Sequence, residues 1–205
     1  MTLAKLLPLS FVMIAGPQIL SAIFLATTES WKKITAVFVA GAGVSITIVA
    51  SIGFLLSLGA SKQGASHTTL NVIILVLLFL AAVHKFLTRK QSKPPKWMGK
   101  LEDIKPKGAF KLGFLLLGVF PTDILTALSV GGFASTHGEP WWHLFGFVAL
   151  TLLLLALPAL AILLFGKKAE HAMPKVRDWM NDNSWVISEI VLGLFIALTA
   201  NSLAS

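Results

Sequence analysis

One carboxylate in this sequence lies in unusual surroundings. Asp123 follows Pro121 and Thr122 near the middle of a long apolar stretch, FLLLGVFPTDILTALSVGG. If that stretch spans a membrane, an ionised carboxylate there costs on the order of 3 kcal/mol, and such residues generally face the protein interior on ion or proton pathways. We therefore predict that Asp123 binds a proton, a cation or a cationic substrate group. The alternative is that it caps backbone amides at the start of a helix, as aspartate often does.

Three other polar residues are candidates for the same site. Gln18 stands in the first apolar stretch at the place that corresponds to Thr122 and Asp123, and its amide offers both donors and an acceptor. Glu189 lies about one helical turn inside the last apolar stretch, where the alternative is an interfacial carboxylate that reaches water. We expect a substrate- or ion-binding site lined by Asp123, Gln18, Thr122 and Glu189.

A proline precedes the polar residues in both stretches. Pro17 begins the segment PQILSA and Pro121 begins PTDILTA, which has one extra residue. Proline has no N–H, and its ring displaces the carbonyl four residues earlier, which belongs to Met13 in the first copy and to Leu117 in the second. In hydrocarbon a freed carbonyl must be met by protein, water or ligand. We predict two broken helices whose breaks line a common cavity, with a plain kink at each proline as the alternative.

The composition indicates a membrane protein. Hydrophobic residues make up 56% of the 205, only 13% are charged, and the mean hydropathy is +0.82, whereas a soluble domain is about 25% charged. This excludes an ordinary soluble enzyme and a disordered chain. A helix needs about 20 apolar residues to cross a bilayer. Six stretches meet that length, namely 3–26, 34–58, 69–88, 108–134, 142–165 and 184–204.

The basic residues mark one side of the membrane. All but two of the 17 Lys and Arg residues, Lys5 and Lys62, lie in or beside the first, third and fifth connectors between these spans. By the positive-inside rule those connectors are cytoplasmic and both termini lie outside. We therefore predict a multi-pass protein of the cell (plasma) membrane. Its net charge of +8 reflects topology, so we expect the lipid bilayer as a partner and no nucleic acid.

The spans form one membrane domain, 1–205, with an internal repeat. A basic, proline-containing linker at about 89–107 separates a first half, about 1–88, from a second half, about 108–205. Because three spans is an odd number, the second half must be inverted relative to the first. Inverted repeats with broken helices at the midplane are typical of secondary transporters. The predicted fold class is an all-α integral membrane protein of six transmembrane helices, arranged as two inverted three-helix repeats with proline-broken first and fourth helices.

These features resemble a known group of exporters. Six short spans in 205 residues, a proline motif in each half (IAGPQIL and VFPTDIL) and a basic central loop are similar to the LysE superfamily, and most like its GAP family of glycolipid-addressing or Sap-like membrane proteins. The resemblance implies export across a membrane. The second motif departs from the family pattern, because Phe120 and Thr122 flank Pro121 where asparagine and lysine are typical, and Asp123 is added. Related branches of the superfamily move amino acids, metal ions or reducing equivalents. Transport of reducing equivalents needs paired cysteines, and this sequence has none.

We expect a transporter or exporter of a small solute, with a midplane site between the broken helices and coupling to a proton or cation. The alternative is a protein that translocates or addresses a lipid or glycolipid together with a partner. A closed polar cavity around Asp123 would favour the solute, and an apolar groove open to the side would favour the lipid. Because the sequence has no nucleophile–base pair and no metal-ligand motif, we expect no enzyme activity, no metal and no cofactor. A homodimer is a further expectation for a six-span protein of this size.

Overall fold

Helices form all the regular structure that is described. The computed structural model describes residues 3–60, 101 and 103–183, together with positions 186, 193 and 196. A 3₁₀ turn, Trp141–His143, directly precedes the α-helix that begins at Leu144. The α-helices are α1 (Leu3–Ile14), α2 (Pro17–Ala26), α3 (Trp31–Ala60), α4 (Pro106–Val119), α5 (Pro121–Thr136), α6 (Leu144–Phe165) and α7 (Lys167–Asp182).

Two pairs of consecutive helices are halves of broken spans. The α1–α2 pair is bent by 71° and the α4–α5 pair by 69°. Pro17 is the first residue of α2 and Pro121 is the first residue of α5. At that position proline has no hydrogen bond to lose, because the first amides of a helix have no partner within it. The predicted breaks are therefore present, and each proline begins a new helix rather than kinking a continuous one.

The described helices account for up to four membrane spans. Within the described residues, Trp31–Leu58 and Trp141–Phe165 are each long and apolar enough to cross a bilayer, and each bent pair qualifies if it is counted as one span. These four match the predicted spans 3–26, 34–58, 108–134 and 142–165. The predicted spans 69–88 and 184–204 lie outside the described residues, so the six-span inverted repeat stays a prediction.

The longest helix, α3, packs along both arms of the second broken span. A stripe of buried residues at every fourth position faces these arms, namely Ile34, Phe38, Ala42, Ile46 and Ala50. Glycines on the arms allow very close contact. A Cβ atom on Gly113 of α4 would overlap the carbonyl oxygen of Phe38, and one on Gly131 of α5 would overlap that of Ala50. Small residues at such contacts let helix backbones approach closely, so one straight helix holds both arms at their fixed angle.

The helix α6 packs against the first bent pair and against α3. It continues without interruption through the buried Pro158. The connector after it is an amphipathic helix, α7. Ala169 of α7 is buried against Ala26 and Ile162, whereas most of the charged residues of α7 are exposed. The end of the first broken span is thereby packed against the segment that follows α6.

We predict that Gly131→Ala lowers the free energy of unfolding by about 1–3 kcal/mol, because overpacking of a close helix contact costs that much. The measurement is thermal unfolding of the purified protein in detergent micelles. Gly108→Ala is the matched control, since a Cβ there meets the flexible side chain of Ile104 at 3.0 Å and no backbone atom. Equal stability of the two variants would contradict the close contact between α3 and α5.

Candidate functional site

The two breaks meet at a hydrogen bond between the halves of the chain. Gln18 is the second residue of α2 and Asp123 is the third residue of α5. The Gln18 Nε2 amide donates to the Asp123 Oδ2 carboxylate oxygen at 2.5 Å. The two residues are 2% and 1% exposed, so the pair is sealed from solvent. The sequence predicted both residues for one site, and the structure brings them into contact.

Two hydroxyl groups define how the similar segments correspond. Ser21 Oγ donates to the Pro17 carbonyl at 2.6 Å, and Thr126 Oγ1 donates to the Thr122 carbonyl at 2.7 Å. Hydroxyls in membrane helices often bond to their own backbone in this way. Since the two bonds are equivalent, Ser21 corresponds to Thr126. The residues three positions earlier, Gln18 in the first segment and Asp123 in the second, then correspond to each other. The hydrogen bond between the halves thus joins equivalent positions of the two copies.

The carboxylate of Asp123 does not act as a side-chain cap. The N-cap positions of α2 and α5 are Gly16 and Phe120, and neither helix has a side-chain cap hydrogen bond. Asp123 Oδ1 lies 3.5 Å from Thr122 Oγ1, which is a weak contact. The carboxylate is nevertheless in the first turn of α5, where the helix dipole stabilises negative charge. It is therefore fixed by its own helix terminus and by an amide from the other half.

Each break leaves a buried polar atom near it without a partner. Gln18 Oε1 and Ser45 Oγ are buried, and neither has a hydrogen-bond partner among the described residues. Both atoms lie against glycines. A Cβ on Gly16 would lie 3.1 Å from Gln18 Oε1, and one on Gly118 would overlap Ser45 Oγ. A buried unsatisfied polar atom costs about 1–3 kcal/mol, so each break has a polar atom with unused hydrogen-bonding capacity among the described residues.

The backbone at the first break requires glycine. Gly16 has φ of +135°, a region that residues with a Cβ rarely adopt. This conformation bends the chain between Ile14 and Pro17 without a side chain that would crowd the Gln18 amide. The sequence motif Ala-Gly-Pro-Gln thus supplies a bend, a helix start and a polar group in that order.

The other predicted site residues are placed differently. Thr122 is exposed at the surface of α5 and touches the site only through its weak contact with Asp123. Glu189 lies outside the described residues. Ser45, which was not among the candidate site residues, is buried next to the second break. Its one signal in the sequence is a hydroxyl within a run of small residues in the second apolar stretch.

A groove lies on the surface of the bundle between α3 and α6. Its volume is about 430 Å³. Val44 and Ile48 of α3 and Phe145 near the start of α6 are 45%, 47% and 49% exposed, so the groove opens sideways. The groove is lined by apolar or small side chains of Ala40, Gly43, Val44, Thr47, Ile48, Phe145, Val148 and Leu152.

Comparison with known proteins finds one family. The model of the family described as Sap, sulfolipid-1-addressing protein, matches residues 6–203. Neither the curated proteins nor the solved structures yield a match. The matched range includes both breaks, the groove and α7.

We predict that Gln18→Leu lowers the free energy of unfolding by about 1–3 kcal/mol, because it leaves the buried Asp123 carboxylate without its donor. The combined variant Gln18→Leu with Asp123→Leu should recover part of this loss, since both polar partners are then removed. A double-mutant cycle measured by unfolding in detergent gives the coupling between the two residues. Ser21→Ala serves as the control, because its hydroxyl bonds only within α2. Additive effects of the two substitutions would argue against a bond between the halves.

Proposed function

We propose, because the chain belongs to the family of Sap, sulfolipid-1-addressing protein, that it moves an amphiphilic lipid across or along the membrane. The observation that most favours this function is the apolar groove between α3 and α6, which opens sideways on the bundle. An acyl chain needs an apolar surface that is continuous with the bilayer. A small polar solute needs an enclosed polar cavity, whereas the carboxylate of Asp123 is 1% exposed and bonded to Gln18.

The lining of the groove suits an acyl chain. Gly43 and Ala40 leave space along α3, and Phe145 and Leu152 provide the opposite wall from α6. Thr47 is the one residue of the lining with a polar side chain, and its Oγ1 donates to the Gly43 carbonyl at 2.7 Å. Its hydroxyl is therefore satisfied within α3 and does not repel an apolar chain.

In this proposal the Gln18–Asp123 pair is the contact that opens and closes. It joins the two arms that begin at Pro17 and Pro121, and each arm meets its preceding helix at a bend of about 70° (71° and 69°). A bend between two helices is a place where small changes in backbone dihedrals rotate one arm against the other. A lipid that binds better to one arrangement of the arms shifts the population toward it. No covalent step is needed, so we propose movement without enzyme activity.

The proposed orientation places the basic connectors in the cytoplasm of a plasma-membrane protein. One cavity is lined by residues from all three basic connectors, including Lys33, Lys105 and Arg177. This supports the assignment of these connectors to one side, as the charge distribution of the sequence requires. Both termini then lie on the opposite side.

A second candidate function is export of a small solute coupled to a proton or cation. It is favoured by the buried carboxylate between the two breaks and by the unpartnered Gln18 Oε1 beside it. Proteoliposomes that contain a pH-sensitive dye would report proton movement driven by added amino acids or divalent cations. Solute-driven proton flux that is lost in Asp123→Asn would favour this candidate over the lipid.

We predict that Val44→Trp slows lipid movement by about tenfold, because an indole in the groove competes with an acyl chain for the same volume. The measurement uses proteoliposomes that contain a fluorescent sulfated glycolipid, with dithionite as the quencher of the outer leaflet. Leu56→Trp is the control, since Leu56 is 69% exposed on the same helix and does not line the groove.

If the glycolipid crosses the bilayer no faster with wild-type protein than without protein, lipid translocation is the wrong function. If the Leu56→Trp control slows movement as much as the groove variant, the groove is not the lipid path.

A further inference from the structure

The end of the bundle where α3 and α4 begin contains a large cavity that the proposed lipid path does not use. Its volume is about 770 Å³, which is within the range of small-molecule sites. The turn between α2 and α3 forms one wall, the chain that leads into α4 forms a second, and α7 contributes Arg177. Phe24 near the end of α2 supplies an aromatic surface.

Five charged side chains line this cavity, and none is paired with another of the five. Lys33, Lys105 and Arg177 are cationic, and Glu29 and Asp103 are acidic. Among the described residues, no ion pair within 4 Å joins any of these five to each other. Opposite charges at a bundle end usually neutralise one another when the geometry allows. Here they surround a volume instead, and so remain available to a ligand.

Arg177 is held in place by groups outside the charged set. Its Nε donates to Asp178 Oδ1 at 3.0 Å, and its guanidinium carbon lies 4.8 Å from the centre of the Phe24 ring. Since a guanidinium has five N–H donors, several remain after these contacts. An arginine that is fixed by an aromatic ring and a carboxylate loses less side-chain entropy when it binds an oxyanion.

The starts of two helices add positive potential. Both α3 and α4 begin beside the cavity, at Trp31 and Pro106, and neither helix has an acidic residue in its first turn. The first amides of a helix and its dipole favour an anion. The lining has three cations and two carboxylates, and Asp178 pairs with Arg177 from outside the lining. The two helix starts therefore supply the positive potential that favours a ligand of net negative charge.

The two carboxylates narrow the choice of ligand. Glu29 and Asp103 would repel a bare sulfate or phosphate ion, but a carboxylate accepts hydrogen bonds from hydroxyl groups. Thr27 and Thr28, which also line the cavity, donate their hydroxyl hydrogens to the carbonyls of Phe24 and Leu25 at 2.8 and 2.9 Å, so their hydroxyl oxygens keep only their capacity as acceptors. This combination of donors and acceptors fits a group that has both an oxyanion and several hydroxyls.

We propose that this cavity binds the polar headgroup of an anionic lipid in which a phosphate or sulfate ester is attached to a polyhydroxylated group. The assignment rests on the proposed lipid function and adds the place in the bundle where the headgroup binds and the residues that bind it. Lys33, Lys105 and Arg177 bind the ester oxygens, and Glu29 and Asp103 accept from the hydroxyls.

The test is equilibrium binding to the full-length protein in a detergent without a sugar headgroup. The probe is dioctanoyl phosphatidylinositol, which has a phosphate ester and a ring of hydroxyls. Dioctanoyl phosphatidylcholine is the zwitterionic comparison, and thermophoresis of protein labelled at a terminal tag is the readout. The double variant Lys33→Gln with Lys105→Gln should weaken binding of phosphatidylinositol about tenfold, because it removes two ionic contacts at a partly exposed site.

The chain offers a closely matched control. Lys32→Gln with Lys107→Gln makes the same change in charge one and two residues away, and neither residue lines the cavity. Affinity close to that of the wild type in this control and a loss in the cavity variant would support the headgroup site. Equal weakening in both would overturn it, because only the net charge would then matter.

Two further arms test the selectivity. Glu29→Gln with Asp103→Asn should reduce the preference for phosphatidylinositol over dioctanoyl phosphatidic acid, which lacks the hydroxyl ring, and an unchanged preference would contradict the role of the carboxylates. Inorganic sulfate or phosphate in large excess should displace the lipid only weakly. Displacement as effective as that by the lipid itself would assign the cavity to a free anion and overturn the lipid assignment.

Failure of this inference and failure of the proposed function give different results. Binding in detergent needs no translocation, so loss of headgroup selectivity with intact movement of glycolipid would contradict the cavity assignment alone. Absence of movement in proteoliposomes with selective headgroup binding would contradict the translocation function alone. The groove variant Val44→Trp should retain wild-type binding of the probe, since Val44 lines the groove and not the cavity.

Discussion

The hydrogen-bonding requirement of a backbone in hydrocarbon governs this fold. A helix satisfies its own peptide groups, so each break in a membrane helix leaves amides and carbonyls that only neighbouring protein, water or ligand can meet. The chain breaks two helices and places the breaks against each other, so that Gln18 from one meets Asp123 from the other. A carboxylate that would be costly alone in the membrane interior thereby gains a donor from the opposite half. Near the breaks, Gln18 Oε1 and Ser45 Oγ are buried without a partner among the described residues, so the satisfaction of polar groups there is incomplete.

A rigid support is needed for two breaks to stay in register. The 30-residue α3 is about 45 Å long, and it packs against both arms of the second broken span through glycine contacts. Such contacts depend on backbone approach and leave little freedom for the arms to slide. The first broken span has no comparable partner in the described part of the chain, since α1 and α2 pack mainly against α6. The structure therefore combines one pair of arms held by close glycine contacts with α3 and one pair that packs mainly against α6.

Much of this arrangement follows from local chemistry and could be predicted from sequence. Pro17 and Pro121 have no amide hydrogen, which is a property of the residue itself, and both breaks are present. The meeting of Gln18 and Asp123 followed from the similarity of the two segments. The shared Ile-Leu, hydroxyl and alanine of the two segments had placed Gln18 at Thr122 or Asp123, and the equivalent hydroxyl bonds of Ser21 and Thr126 choose Asp123. The amphipathic α7 was missed because its charges suggested a connector, although Ala169, Met173, Val176 and Met180 follow helical spacing. The groove and the cavity depend on distances between helices that are far apart in the chain, and no local pattern encodes those distances.

The short helix α2 has a mechanical consequence that follows from its two ends. Gln18 lies in its first turn and Phe24 in its last, and a separation of six residues is about 9 Å along a helix. A helix this short moves as a rigid body. A shift of α2 along or across its axis that separates Gln18 from Asp123 therefore also displaces Phe24, the aromatic ring against which Arg177 rests. Thermodynamic reciprocity then requires that a ligand which prefers one position of Phe24 also biases the contact at Gln18, and to the same extent in free energy as that contact biases the ligand. Ligand binding at the bundle end and the Gln18–Asp123 contact at the break are thus coupled through α2.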